Sequence, residues 1–544
     1  MPLSGLEGVS LAYGLNHYEI DTPYRRLLRY FLGFEPDFRR LGGYVGSTVY
    51  EAAYRIDRLS QPVLQTWGVR GERIDSVWVD PVERNILDKL VLDFKINSYP
   101  FEGDSWHLHY AGIYLVGDPG LSCILTITIQ TAYALYKYGD PTVRRYYLNL
   151  AGIEKPAMWG ATWFTEVQGG SDLGANTTRA EFDGDKWRLT GYKYFASGAG
   201  IADLALVTAR PPGGGEGAKG LALFLVPRID SSGKLNYAVR RLKWKSGTIA
   251  VPTGEVELAG SEAYLIGEEG KGIYYTLEDL MVSRLANSIG AVGISRKAYI
   301  EAYRFTRERR AFGRRVYEHP LAYRDLIEME VEIEASLALT MKAISVFDGA
   351  WGDEPPYTSR YHYARLLTHI AKNMTAETAA KVTQTAMELL GGIGFLHEFP
   401  VERWHREALI TPIWEGTSNI QALDMLEAMY KKNAHIPLLE DLEETASEVA
   451  DEALARSVVD DARETINALS KASLEEAEYM AKHVLRRLGV AVAVVTLLNA
   501  SAKTGDEAMA EIARIYYDLK SRGSIKYVPR SVGEQIISLR GSIE

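Results

Sequence analysis

Cysteine is nearly absent from this chain: Cys123 is the single thiol in 544 residues. That excludes an intramolecular disulfide framework, leaves no cluster for a structural metal so that no metal site is expected, and makes a reducing, cytoplasmic compartment the expectation. Cys123 itself stands in PGLSCILTITI, where a small thiol reads as a core residue. A basic and apolar leader is missing from the start, MPLSGLEGVS. Long apolar runs are missing too. The most apolar stretch, LGVAVAVVTLL at 488–498, is bounded by Arg487 and Asn499, is too short to span a bilayer, and predicts a buried helix with no membrane partner. Positive charge is not in excess: a formal net charge of -10 disfavours a protein whose main task is to coat nucleic acid. Neither common nucleotide fingerprint is present, since no glycine-rich loop ends in GKS or GKT and no strand leads into GxGxxG.

What is there is an ordinary soluble composition, 47% hydrophobic, long enough for three or four structural units. From Thr22 to about Tyr147 apolar residues recur three and four apart in RRLLRYFLGF, STVYEAAYRIDRL and TAYALYKYG, which predicts helices. From about 158 the period shortens. AEFDGDKWRLTGYKYFAS turns at DGD, ADLALVTAR and GLALFLVPR flank PPGGGEGAK, and GEVELAGSEAYLIGEEGKG closes a stretch that predicts a compact antiparallel sheet or small barrel. Helical periodicity returns at Ile273 and runs to about 430, with SRLANSIGAVGISRKAYIEAYRFTRERRAF as its clearest helix and GDEPP as a break. The small residues of ANSIGAVGIS predict close helix packing. A last helical region follows about 433, where 436–478 holds 13 acids against 3 bases and 479–544 holds 10 bases against 6 acids. The expected boundaries are 1–157, 158–272, 273–432 and 433–544, an α+β chain.

Three stretches carry candidate chemistry. In PIWEGTSNIQ (412–421) Glu415 follows Ile413 and Trp414 and precedes Gly416, so an apolar wall and a small neighbour can desolvate a carboxylate able to remove a carbon-bound proton. A solvated charge in a turn is the competing reading. FTEVQGGSD (164–172) offers Thr165, Gly170 and Ser171 in a loop whose amides and hydroxyls suit a polar cofactor or pyrophosphate, or form a plain glycine-rich turn. ELLGGIGF (388–395) places Gly391 and Gly392 at a helix end, where a C-cap would suffice.

These stretches, in this order, resemble the acyl-CoA dehydrogenase flavoprotein family over roughly residues 100–430. FTEVQGGSD is similar to the family's flavin loop TEP-x-AGSD, KYFAS (193–197) to its K-x-W-I-T strand, RERRAFG (307–313) to its ERxxFG helix, LLGGIGF to GGxGF, and IWEGTSNIQ to YEGTSxIQ. NHYEID near the start, Trp414 before EGT, SN after it and the extension past 433 are similar to the AidB-like branch, named for the adaptive-response alkylation protein. The resemblance implies an N-terminal helical domain, a central β-barrel, a C-terminal helical bundle with an extra helical extension, and FAD held between barrel and bundle.

It also implies roles. Glu415 would take the α-proton of an acyl-CoA thioester while the β-hydride passes to flavin N5, leaving an enoyl-CoA, with the Glu415 amide helping to hold the thioester oxygen. Thr165 would bond the pyrimidine edge of the flavin, with Gly170 in the same loop. Phe195 and Ser197 would line the ring, beside Trp414. Arg309, Phe312, Gly391 and Gly392 would reach the FAD of a neighbouring subunit. Thr417 and Asn419 would contact the adenine half or pyrophosphate, and Ser171, Arg284 and Gly416 would face the CoA substrate. Implied partners are an electron acceptor such as an electron-transfer flavoprotein and further copies in a homotetramer.

Plainer readings stand beside these. Arg309, among Arg307, Arg310, Arg314 and Arg315, also reads as one charge on a solvated basic face, Phe195 as core, and Arg284 as a packing cap or a partner of Asp279. Glu388 stands where many members have glutamine, QGG replaces P-x-AG, Phe195 replaces Trp, Ser197 replaces Thr, and Met281 stands where an acid often faces the CoA adenine. The rival function is an AidB-like flavoprotein that binds double-stranded DNA in an alkylation response. Phosphate neutralisation would favour it at Lys520, Arg522, Lys526 and Arg530, and the acidic EDLEETASEVADEALAR opposes it. A flavin oxidase using O2 is a third reading.

Overall fold

The computed structural model describes residues 10–543. The chain forms two compact units, neither continuous in sequence: one takes residues up to Tyr50, Ser105–Pro119 and everything from Asn287, the other Glu51–Asp104 and Gly120–Ala286.

The second unit is built on a sheet. A hairpin, β1 (Val63–Trp67) and β2 (Arg73–Trp78), precedes it and was not foreseen from the sequence. The sheet itself holds β3 (Gly160–Trp163), β4 (Arg179–Phe182), β5 (Trp187–Ser197), β6 (Leu204–Ala209), β7 (Ala222–Pro227), β8 (Ala238–Leu242) and β9 (Thr253–Ile266). Its order is β3-β6-β7-β9-β5-β4, with β8 also on β9. The expectation of a purely antiparallel sheet is corrected: β3 runs parallel to β6, because about forty residues, including the β4–β5 hairpin, separate them and return the chain in the same direction. A parallel bridge from Arg179 to Arg210 joins β4 to the end of β6, giving the sheet its barrel-like closure. Ala161, Trp163, Leu189, Val207, Phe224, Val256 and Leu258 fill its interior, and half-buried Cys123 packs against that cluster.

The first unit is helical. The helix Gly272–Glu308 contributes its part from Asn287 onward, followed by Pro320–Asp348, Ser359–Leu390, Pro400–Ala408 and Ser418–Lys432. The break at GDEPP falls between Asp348 and Ser359, where Thr358 caps the next helix. The extension past 433 is likewise helical. Its helix Leu474–Thr504 starts at a capping box of Ser473 and Glu476 and ends at Gly505 in the left-handed region. That helix is long and apolar enough to cross a membrane, yet 83% of its apolar stretch is buried inside the fold, the buried helix expected at 488–498. The small residues of ANSIGAVGIS do permit close packing. A β-carbon on Gly293 would lie 2.3 Å from the Tyr114 carbonyl oxygen on the helix Trp106–Val116.

Candidate active site

In the sheet unit, the strand β3 delivers its chain directly into the loop FTEVQGGSD, and Tyr194 of β5 donates its amide to the Thr165 carbonyl at 3.0 Å. The loop and the KYFAS strand are therefore neighbours, as their predicted roles require. A β-carbon on Gly170 would meet Thr165 Oγ1 at 2.5 Å, so the absent side chain leaves the Thr165 hydroxyl its place in the turn. Ser171 is exposed at the loop surface. Along β5 the side chains alternate. Ala196 is buried in the sheet, and Phe195 beside it is 53% exposed, so Phe195 is not core. Ser197 Oγ lies 3.2 Å from Thr253 Oγ1, and its carbonyl accepts from Trp163 Nε1 at 2.9 Å.

What holds this loop is a buried ion pair. Lys193 Nζ donates to Glu166 Oε1 at 2.9 Å and to the Thr208 carbonyl at 2.8 Å, while Glu166 accepts the amides and hydroxyls of Thr177 and Thr178. Burial alone would raise the Glu166 carboxyl, but the Lys193 ammonium and these four donors outweigh it and hold the group at about 2. Both residues lie inside motifs visible in the sequence, without a role assigned to them.

In the helical unit, Glu415 adopts φ 56, in the left-handed region that costs a residue with a β-carbon about 1–2 kcal/mol. Gly416 follows at φ 90, which favours glycine. Asp75 in the sheet unit is the other carboxylate with positive φ (37) among the described residues. Glu415 is half-buried; Ile413 before it is exposed and forms no enclosing wall. Trp414 is fixed by its indole N–H, which donates to Asn287 Oδ1, and Asn287 Nδ2 in turn donates to the Thr411 carbonyl at 3.3 Å. Thr417 caps the helix Ser418–Lys432 through its side chain, and Asn419 is exposed in that helix's first turn. Behind the loop, Lys372 Nζ donates to the Gly416 carbonyl at 2.6 Å, and Gln421 Nε2 donates to the carbonyls of Glu415 at 2.8 Å and Gly416 at 3.0 Å. Gln421 was legible within IWEGTSNIQ; Lys372, on the helix Ser359–Leu390, gave no local signal.

The stretch RERRAFG departs from its sequence reading. The helix ends at Glu308, and Arg310–Ala311 pairs with Arg314–Arg315 as a two-stranded hairpin turning at Phe312 (φ 51) and Gly313 (φ 83). Arg309 is therefore the junction between helix and hairpin, its amide still donating to the Phe305 carbonyl at 2.8 Å, while Phe312 sits at the hairpin turn with its ring 96% exposed. Alongside, Arg304, Arg307, Arg310 and Arg315, with Glu308 and Ile543, line a cavity of about 410 Å³ with a surplus of positive charge. Gly391 (φ 70) and Gly392 are exposed at the end of the helix Ser359–Leu390, with open space where β-carbons would be. Glu388 is exposed one turn earlier and accepts from Gln384 at 3.3 Å. Arg284 and Met281 are buried.

The residues of the sheet unit fit FAD: the unshielded ring of Phe195, the Thr165 turn that a β-carbon would fill and the Ser197 hydroxyl match an aromatic, polar ring system. In the helical unit, taken by itself, the cationic cavity beside the hairpin suits a phosphate group.

Comparison with known proteins gives the same answer. The acyl-CoA dehydrogenase middle-domain model matches residues 161–260 and the C-terminal-domain model residues 270–430. Acyl-CoA dehydrogenase family member 11 of Caenorhabditis elegans is 30% identical over 434 residues, 76% of this chain and 70% of that protein. The protein AidB of Escherichia coli K12 is 29% identical over 426 residues, 75% of this chain and 76% of that protein. The crystal structure of ACDH-11 from C. elegans in complex with C11-CoA superposes with a TM-score of 0.84 at 26% identity, covering 93% of this chain and 92% of that one. The chain belongs to the acyl-CoA dehydrogenase family, with AidB among its relatives, and is an oxidoreductase that uses FAD.

Proposed function

We propose that this enzyme converts an acyl-CoA to the 2,3-enoyl-CoA, with Glu415 as the base. FAD, when bound, supplies the acceptor for the hydrogen and the electron pair leaving Cβ. The chain's own task is at Cα: the Glu415 carboxylate takes the proton, and its backbone N–H, fixed by the same turn, holds the thioester oxygen as negative charge builds there. Gly416 lets the chain pass the thioester without a side chain in the way, and Thr165 and Ser197 orient the cofactor by their hydroxyls. The observation that carries this reading is the carboxylate at φ 56 between Trp414 and Gly416. C11-CoA, bound by the C. elegans protein, is the first thioester to test. An electron-transfer flavoprotein as acceptor, a homotetramer and a cytoplasmic location complete the proposal.

Glu415→Gln keeps the shape and removes the base. It is expected to retain FAD by its visible absorbance and to lose dye-coupled acyl-CoA oxidation by about 10²- to 10⁴-fold. Full activity in that variant would exclude Glu415 as the base.

The arginine-lined cavity beside Arg309 supports a second reading, binding of duplex DNA through its phosphates. A gel shift that weakens steeply with salt, and is lost in Arg304→Gln/Arg315→Gln, would establish it; no shift at low salt would end it.

A further inference from the structure

We propose that Lys372 and Gln421 are positioning residues for Glu415, acting as a clamp on its backbone. The proposal rests on Glu415 being the base. A strained turn relaxes unless its carbonyls are held, and here both carbonyls that follow the Glu415 side chain are taken. Gln421 Nε2 donates to the oxygens of residues 415 and 416, and Lys372 Nζ donates to the second of them. The clamp is itself braced. His369 Nδ1 lies 2.9 Å from Gln421 Oε1, which fixes the amide with its NH2 toward the loop. His369 and Lys372, three residues apart on the helix Ser359–Leu390, present to one face.

All three side chains are fully buried. Lys372 is buried with its amine on the Gly416 carbonyl. The bond fixes the direction in which Glu415 leaves the backbone, and thereby the distance from the carboxylate to the carbon it deprotonates. Gln421 secures the preceding carbonyl, so the two donors together set both peptide planes on the C-terminal side of the base.

A tie that only stabilises and a clamp that aims the base differ in what they change. Lys372→Met, which keeps the bulk, is expected to lower kcat about 10- to 100-fold with KM within about threefold of wild type. The primary isotope effect on removal of an α-deuterium should rise, because misaimed proton removal becomes the slow step. Lys372→Arg should restore part of kcat, and Gln421→Glu, which turns an acceptor toward the two carbonyls, should resemble Lys372→Met. Flavin content and thermal midpoint, measured on the same holoenzymes, correct for lost fold. The clamp is overturned if Lys372→Met and Gln421→Glu both keep the wild-type kcat and isotope effect, or lose activity only in proportion to lost flavin. Glu415→Gln, run in parallel, separates the claims: full turnover there with a slowed Lys372→Met defeats the base assignment, whereas a dead Glu415→Gln with an unaltered Lys372→Met defeats the clamp alone.

Discussion

Glu166 and Lys193 show how a residue next to a predicted contact can matter more to the loop than the contact itself. Thr165 was marked by its motif, yet the side chain that folds the loop is its neighbour, tied to five donors. Because the folded carboxyl sits at about 2 against an ordinary 4.5, the Glu166 carboxylate contributes stability above pH 4.5 that is lost as pH falls toward 2, while burial pulls the Lys193 ammonium down to about 8 and offsets part of it. Unfolding free energy measured in denaturant across that window should fall less steeply in Glu166→Gln than in wild type; parallel slopes would remove the pair from the acid response. The same residues mark a limit of sequence reading. KYFAS identifies a strand and its exposed ring, but nothing in it tells which of two adjacent polar groups faces inward, since that depends on the register of β5 against β9.

At the level of elements, periodicity and turn residues located most helices and the DGD and PPGGG turns, because those signals are local. The parallel pairing of β3 with β6 was not legible, since it is decided by how a long excursion returns. The hairpin at 310–315 was hidden for a different reason: ERRAF continues the helical period, and only the left-handed pair Phe312–Gly313 ends it. Helix contact at Gly293 was legible as a run of small residues. Gly293→Ala gains at most about 1 kcal/mol of helix propensity, but its methyl would press on the Tyr114 carbonyl, a backbone atom with no rotamer to yield. Overpacking costs about 1–3 kcal/mol, so the net effect is destabilising. A lower thermal midpoint with FAD still bound is the expected result, and an unchanged or raised midpoint would count against the close approach.

Across the whole molecule, the family models cover residues 161–260 and 270–430, and the extension beyond 433 was legible as further helix with an uneven charge. What the sequence could not show is a buried line of charge on the helix Pro320–Asp348. Glu330 is met by Arg296, which also pairs with Asp21, and Glu334 by Arg540, which also pairs with Asp506. Two of these pairs lie 34 residues apart and Arg540 lies 206 residues from Glu334, so no short window of sequence contains them. Arg540→Ala leaves Glu334 buried without its cation and should cost about 3–5 kcal/mol. Adding Glu334→Gln should recover part of that loss in a urea titration; two losses that simply add would mean the groups do not interact.

The same line of charge bears on the order of folding. Glu334 is buried in an apolar core and needs the guanidinium of Arg540 beside it. The helical unit therefore reaches its final packing only when the segment that carries Arg540 has docked, and any earlier closure is looser.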